Sequence, residues 1–231
     1  NNVAVGLDAG TALTTGASNT MVGMGAGSGT LENTSVVIIG ESAGAGVQTA
    51  AAEGLIAIGC NSAKSITSGA NNLAIGFNAM AVHTTGNRNI AIGRDAMHDT
   101  NAGSNSLGSN DNVFIGYDSA GGTWADNDSV QNVCLGNGTM KSTVNGANNN
   151  TCIGYDAGTS ITTGDNNLLL GMNAGTNASP GEVTTASNYI TLGNDSSSDL
   201  FCADDSISTS DERDKTDIET FTHGLDFVNQ M

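Results

Sequence analysis

Along this chain a large aliphatic residue stands before a glycine again and again, and the pair sets the frame for every other position. The glycines are Gly6, Gly23, Gly40, Gly59, Gly76, Gly93, Gly116, Gly136, Gly154, Gly171 and Gly193. Their spacing is most often 17 residues, stretched to 23 before Gly116 and to 22 before Gly193. A fixed unit that takes insertions at one point is the signature of a stacked repeat with loops on one side. Before the glycine stand Val5, Val22, Ile39, Ile58, Ile75, Ile92, Ile115, Leu135, Ile153, Leu170 and Leu192. Two residues earlier come Val3, Thr20, Val37, Ile56, Leu73, Ile90, Val113, Val133, Thr151, Leu168 and Ile190. Alternate β-branched and aliphatic positions predict a short strand with these two columns on one face.

The residue between those columns points the other way, and it too is mostly apolar: Ala4, Met21, Ile38, Ala57, Ala74, Ala91, Phe114, Cys134, Cys152, Leu169 and Thr191. Both faces of each strand therefore seek burial. One face can fill the core of the chain's own coil. The other needs a partner, which identical chains around a three-fold axis would supply. This predicts an all-β fold, a repeat β-solenoid or β-helix that is homotrimeric and fibrous. Eleven rungs at roughly 4.8 Å each would stack to about 50 Å.

Corners are legible as well. Three residues after each glycine nothing larger than threonine occurs, from Ala9 and Ala26 through Thr139 to Ser196, which marks a tight corner or a close backbone approach. One residue earlier stand Asp8, Asn61, Asn78, Asp95, Asp118, Asp156, Asn173 and Asp195, residues that tolerate left-handed turns. A second corner is marked by Thr-Thr-Gly ending at Gly16, Gly86 and Gly164. Asparagine opens most strands, at Asn2, Asn19, Asn72, Asn89, Asn112, Asn132, Asn150 and Asn167, and stacked amides can form hydrogen-bonded ladders.

Composition agrees with a repeat architecture. The chain has 32 glycines, one proline, 4% aromatic and 13% charged residues, too few large side chains for an ordinary globular core. The formal net charge of −17, with only six Lys and Arg, argues against nucleic acid or an anionic membrane as partner. No apolar run approaches the ~20 residues of a spanning helix. The chain opens inside a repeat without an initiator methionine, as expected of a piece of a longer polypeptide.

The N-x-A-I-G-x-x-A unit, over residues 2–196, resembles the shaft repeats of phage and viral tail fibres. It is also similar to the shorter head repeats of bacterial trimeric autotransporter adhesins. After Gly193 the period stops, leaving residues 1–197 as the shaft and 198–209 as a polar neck. The run from Ser210 to Ile218 then resembles the start of the intramolecular chaperone of self-cleaving, endosialidase-type tail spikes, here residues 210–231. That resemblance implies a virion protein in the tail, an extracellular fibre for host attachment. Its partners would be copies of itself, other tail proteins and a host receptor or glycan. The chaperone would drive trimerisation. It further implies cleavage between Thr209 and Ser210, with Ser210 as nucleophile and Lys215 as general base. The sequence departs from the family at Asp214, where leucine is usual, and a carboxylate there favours the charged, less basic lysine. Ile218, Phe221, Leu225 and Val228 fall at helical spacing and predict a short C-terminal helix. The competing readings are a bacterial trimeric adhesin and a polysaccharide-cleaving spike; an ice-binding surface is disfavoured by the lack of regular Thr-x-Thr rows.

Other residues carry chemistry in principle. The aspartate corners have the oxygen donors that Ca²⁺ prefers, but asparagine replaces aspartate freely there, so structural turns and no bound cofactor are expected. Cys60, Cys134, Cys152 and Cys202 form no zinc spacing, and Cys134 and Cys152 share a column of adjacent rungs within disulfide reach, though small buried thiols are expected. His83 and His98, in the variable segments, are expected to be solvent-exposed. Trp124, near Asp126 and Asp128, either stacks on a sugar or covers the local core. A glycan-cleaving pair of carboxylates, roughly 5–10 Å apart, cannot be singled out among so many corner aspartates.

Overall fold

The computed structural model describes residues 1–29, 32–99, 108–125, 127–142, 144–176 and 182–198. The chain divides after Ser197, and the first unit, Asn1–Ser197, is a single parallel β-solenoid. Eleven three-residue strands pair in chain order: β1 Val3–Val5, β2 Thr20–Val22, β3 Val37–Ile39, β4 Ile56–Ile58, β5 Leu73–Ile75, β6 Ile90–Ile92, β7 Val113–Ile115, β8 Val133–Leu135, β9 Thr151–Ile153, β10 Leu168–Leu170 and β11 Ile190–Leu192. Every neighbour is parallel and in register, so Ala74 lies against Ala91 and Cys134 against Cys152. A one-turn 3₁₀ helix at Ala50–Ala52 joins the rung of β3 to that of β4. The neck's last residues and the expected C-terminal helix lie outside the described residues.

Glycine ends each strand for a steric reason. Gly76 has φ +135°, and a Cβ there would sit 2.4 Å from the carbonyl oxygen of Gly93 in the next rung. The same approach, 2.3–2.6 Å, repeats from Gly6 to Gly154. Only a residue without Cβ lets one rung lie flush on the next at this point. The chain then turns through left-handed residues. Asp8, Asn61, Asn78, Asp95, Asp118, Asp156 and Asn173 have φ between 53° and 57°, as their types predicted. Asp195, after the last strand, does not share this conformation. Two residues beyond the corner a second left-handed position recurs, at Ala63, Met80, Met97, Ala120 and Met140. Two such residues so close together hold the return segment in turns, and outside the named strands Trp124 and Val144 form a parallel bridge.

The middle strand column points inward and forms the core with the return segments. Met21, Ile38, Ala57, Ala74, Ala91, Phe114, Cys134, Cys152 and Leu169 are fully buried. Where that column is alanine, the same rungs bury Ile66, Met80 and Met97 from the other side, so small and large positions complement one another. The small corner column is buried from Ala26 to Ala174.

Asparagine completes the interior. From Asn72 to Asn167 each buried amide accepts, on Oδ1, the backbone N–H of the residue stacked on it in the next rung. Its Nδ2 donates to a carbonyl across the corner: Asn112 to Ser129 at 2.8 Å, Asn132 to Ala147 at 2.9 Å, Asn150 to Gly164 at 2.8 Å. Buried main-chain groups that the short strands leave over are thereby satisfied. Val36 and Leu55 interrupt the column, and there Asn33 and Gln48 form a separate buried bond of 2.7 Å.

Two glycine substitutions separate close approach from backbone conformation. Gly76→Ala should cost about 3 kcal/mol or more, because backbone must move and φ is forbidden. Gly25→Asn should cost no more than about 1 kcal/mol, since its φ of +65° suits asparagine and the nearest atom to a Cβ is 3.7 Å away. Thermal melts of the two variants check the difference; equal losses would contradict it.

Candidate functional site

The other two strand columns face outward. All their side chains are aliphatic except Thr20 and Thr151, and none is charged, in a chain carrying 23 Asp and Glu. They are half-buried or exposed along the whole stack, with Val3, Val5, Leu135, Ile190 and Leu192 among the most exposed. A third column continues this face just past the glycine. There Leu7, Met24, Phe77, Tyr117, Tyr155 and Met172 are exposed, interspersed with Glu41, Arg94 and Asn137. Monomeric soluble proteins rarely present a contiguous apolar surface of this extent.

The two borders of the face are polar and ordered. On the corner side, Arg94 places its guanidinium 5.5 Å from the ring centre of Phe77 and 5.9 Å from that of Tyr117. Its Nε also meets Asp95 Oδ2 at 3.0 Å, and Lys141 pairs with Asp118. Along the same corner Asn61 donates to Asn78, and Asn78 to Asp95 at 3.1 Å. On the opposite border, two residues before each strand, left-handed residues stack: Asn71, Arg88, Asp111, Gln131, Asn149, Asn166 and Asn188. Arg88 and Asp111 form a two-pronged pair at 2.6 and 2.8 Å. That hydrogen bonding holds the Asp111 carboxyl below its usual range and raises the guanidinium. Both groups are solvated, so the pair adds little stability.

The structure places the eleven repeat glycines in one column and leaves other expectations changed. Thr209, Ser210 and Lys215 lie outside the described residues, as do Cys202, Asp126 and the helical positions Ile218 to Val228. His83 is not a solvent-exposed loop residue: it is fully buried, its ring Nε2 3.3 Å from Asn89 Nδ2. Burial lowers its pKa from 6.5 to about 4, opposed by a hydrogen bond with the backbone of Gly86. His98 is half-buried. Trp124 does not face solvent either. It is fully buried, edge-on to Phe114 at 5.8 Å, and its indole N–H donates to the Ala120 carbonyl at 3.0 Å. It covers the local core and offers no sugar platform.

The exposed aromatics are instead Phe77, Tyr117 and Tyr155, in the column after the glycine, and Tyr189, just before the last strand. The signal of the first three was present in the sequence, since they extend the strand's period of two by one step. Cys134 and Cys152 are free, buried neighbours. Burial above all, and then the Cys152 thiol, push the Cys134 thiol well up, which leaves it unreactive. Asp128 is raised by burial, against a hydrogen bond from the Gly108 N–H. Among the described residues no three His, Cys, Asp or Glu side chains gather as metal ligands, and no helix is long and apolar enough to cross a membrane.

Comparison with known proteins found no matching family model, no matching curated protein and no matching solved structure.

His83 makes stability depend on pH. Its folded pKa lies below its unfolded value, so the folded state binds fewer protons. The contribution is whole above about 6.5 and is lost as pH falls towards 4, a loss of about 3 kcal/mol from this group. Asp128, raised by burial, works the other way and gains on acidification. The melting midpoint should fall between pH 7 and 4, and His83→Gln should flatten that fall. A variant with an unchanged slope would contradict the assignment.

Proposed function

We propose that this chain is a length of fibre shaft, assembled from identical copies that cover one another's outward sheet face. The observation that carries this reading is the pair of outward strand columns: eleven rungs tall, aliphatic except for Thr20 and Thr151, and free of charge in a strongly acidic chain. With the column after the glycine, which adds apolar side chains but also Glu41 and Arg94, five residues across at ~3.3 Å and ten steps at ~4.8 Å give roughly 16 by 48 Å, or about 800 Å² per chain, the area each partner contributes to a stable interface. Three copies around an axis form a closed assembly in which each face meets the others. The resemblance of the repeat to trimeric viral fibres supports three over two. A rod of this kind holds a binding surface away from the particle that carries it, which fits a tail fibre that attaches a virion to its host.

Light scattering on the chain should give three times 23.1 kDa, about 69 kDa. Ile92→Asp, in the middle of the face, should lower the mass to that of one chain while leaving the β signal in circular dichroism. A wild-type mass of 23 kDa would sink the assembly reading.

The C-terminal segment is assigned by its motif. In the proposed step the Ser210 Oγ attacks the Thr209 carbonyl as Lys215 takes its proton. The peptide bond breaks to free the Ser210 amine, and water hydrolyses the resulting ester to leave the Thr209 carboxyl. Asp214 beside the lysine slows this by keeping Lys215 charged. Mass spectrometry after incubation should show a fragment ending at Thr209, absent from Ser210→Ala. The same fragment in that variant would assign the cut to another agent.

A further inference from the structure

Each rung sets two outward residues at the edges of its sheet face, three positions before and three after the inward strand residue. In the sixth rung these are Arg88 and Arg94, around Ala91, and in the seventh Asp111 and Tyr117, around Phe114. The leading edge is polar throughout apart from Gly54. The trailing edge carries the exposed rings of Phe77, Tyr117 and Tyr155. Because the edges differ, copies that cover one another's faces must join either like edges or opposite ones.

Symmetry ties that choice to direction. Copies that run antiparallel, about a two-fold axis parallel to the strands, join like edges. With the eleven rungs overlapped, the sixth lies on that axis, so Arg94 meets Arg94 and Arg88 meets Arg88. Copies that run parallel, about an axis along the stack, join opposite edges. Asp111 of one chain then faces Tyr117 of the next at its own level and Arg94 in the rung before. The same register sets Tyr155 beside Asn149 and Glu41 beside Ser35, exposed groups that can hydrogen-bond in each case.

The charged groups have capacity for this contact. The Arg94 side chain is 64% exposed and that of Asp111 36%. Arg88 places one bond on each Asp111 oxygen, and each oxygen can accept another. The width of the face agrees as well. The steps from Arg88 to Arg94, at ~3.3 Å each, span roughly 20 Å. Three such faces closed edge to edge put their axis roughly 6 Å from every sheet, close to half the ~10 Å at which sheets pack. The aliphatic columns then fill the interior.

We propose that three copies run parallel and in register, each closing its ring-bearing edge on the polar edge of the next, with Arg94 and Tyr117 against Asp111 of the neighbour. The inference rests on the assembly reading and adds the direction, the register and the contact that selects them.

The test uses the full chain with Cys60→Ser and Cys202→Ser, which leaves only the buried Cys134 and Cys152 thiols. Asn149→Cys and Tyr155→Cys together place one thiol on each edge of the ninth rung, roughly 20 Å apart within a chain and too far for a disulfide. Diamide should join them between chains and give, as the main product on a non-reducing denaturing gel, a band of three times 23.1 kDa. Neither single variant should cross-link. Asn166→Cys with Met172→Cys repeats the measurement one rung on, and melting midpoints show which variants fold. Asp111→Asn, which keeps the left-handed backbone, should weaken assembly about fivefold, the worth of one partly exposed charged contact. Arg88→Gln, which removes only the pair within a chain, should weaken it less than about twofold. A two-chain band from Arg94→Cys alone, double variants that stop at two chains, or Asp111→Asn no weaker than Arg88→Gln would overturn the proposal. Light scattering before oxidation separates the two readings. The mass of one chain contradicts the assembly and the pairing with it, while an assembled chain that neither double variant cross-links contradicts the pairing alone.

Discussion

Everything in this solenoid depends on one close approach, the contact of the glycine column with itself. Each glycine lies so near the carbonyl of the next that no side chain fits between them, from Gly6 to Gly154. That contact sets the register at one point in every rung, and register then propagates. Strands of three residues pair with no slip, the corner aspartates and asparagines stack, and inserted residues are pushed into the return segments. A strand this short has little cohesion of its own, and its stability comes from neighbours above and below.

In-register stacking also explains why so polar a residue as asparagine fills the interior. A rung that turns through four left-handed or extended-glycine positions leaves main-chain N–H and C=O groups without strand partners. The Asn column supplies them, one amide per rung, each serving the rung above. Unmade, each such bond would leave a buried polar group at a cost of ~1–3 kcal/mol. Where the column fails, at Val36 and Leu55, Asn33 and Gln48 are buried in compensation. Inside, then, the chain meets most of its own polar needs, with Asn33 Oδ1 and Thr84 Oγ1 the buried side-chain atoms left without a hydrogen bond among the described residues. Outside, its aliphatic columns are left over, and this asymmetry is what turns the fold into an assembly problem.

Much of this was legible in the sequence because it is periodic. The strand triplets, the glycine column, the asparagine ladder and seven of the eight left-handed corner residues all follow from residue type at fixed spacing. Which apolar face turns inward was not legible, since Val, Ile and Leu serve either. The interior column is recognisable afterwards by its small members, Ala57, Ala74 and Ala91, which leave room for Ile66, Met80 and Met97. The misjudged residues sit in the variable segments, where no period guides the reading. His83 and Trp124 look like loop residues by position, yet the chain folds both over the core. The exposed ring column, Phe77, Tyr117 and Tyr155, is hidden for a different reason: the paired strand stops before the glycine, while the outward alternation continues to the residue past it.

The central claim is that the two faces of one sheet differ in who covers them, the chain itself or its copies. Methyl NOEs in a sample mixed from isotope-labelled and unlabelled chains read this directly, because isoleucines lie on both faces. Cross-peaks between chains are expected from Ile75, Ile92 and Ile115 on the outward columns, and none from Ile38, Ile66 or Ile161 in the core. Inter-chain peaks from the core isoleucines, or none from the outward ones, would contradict the account.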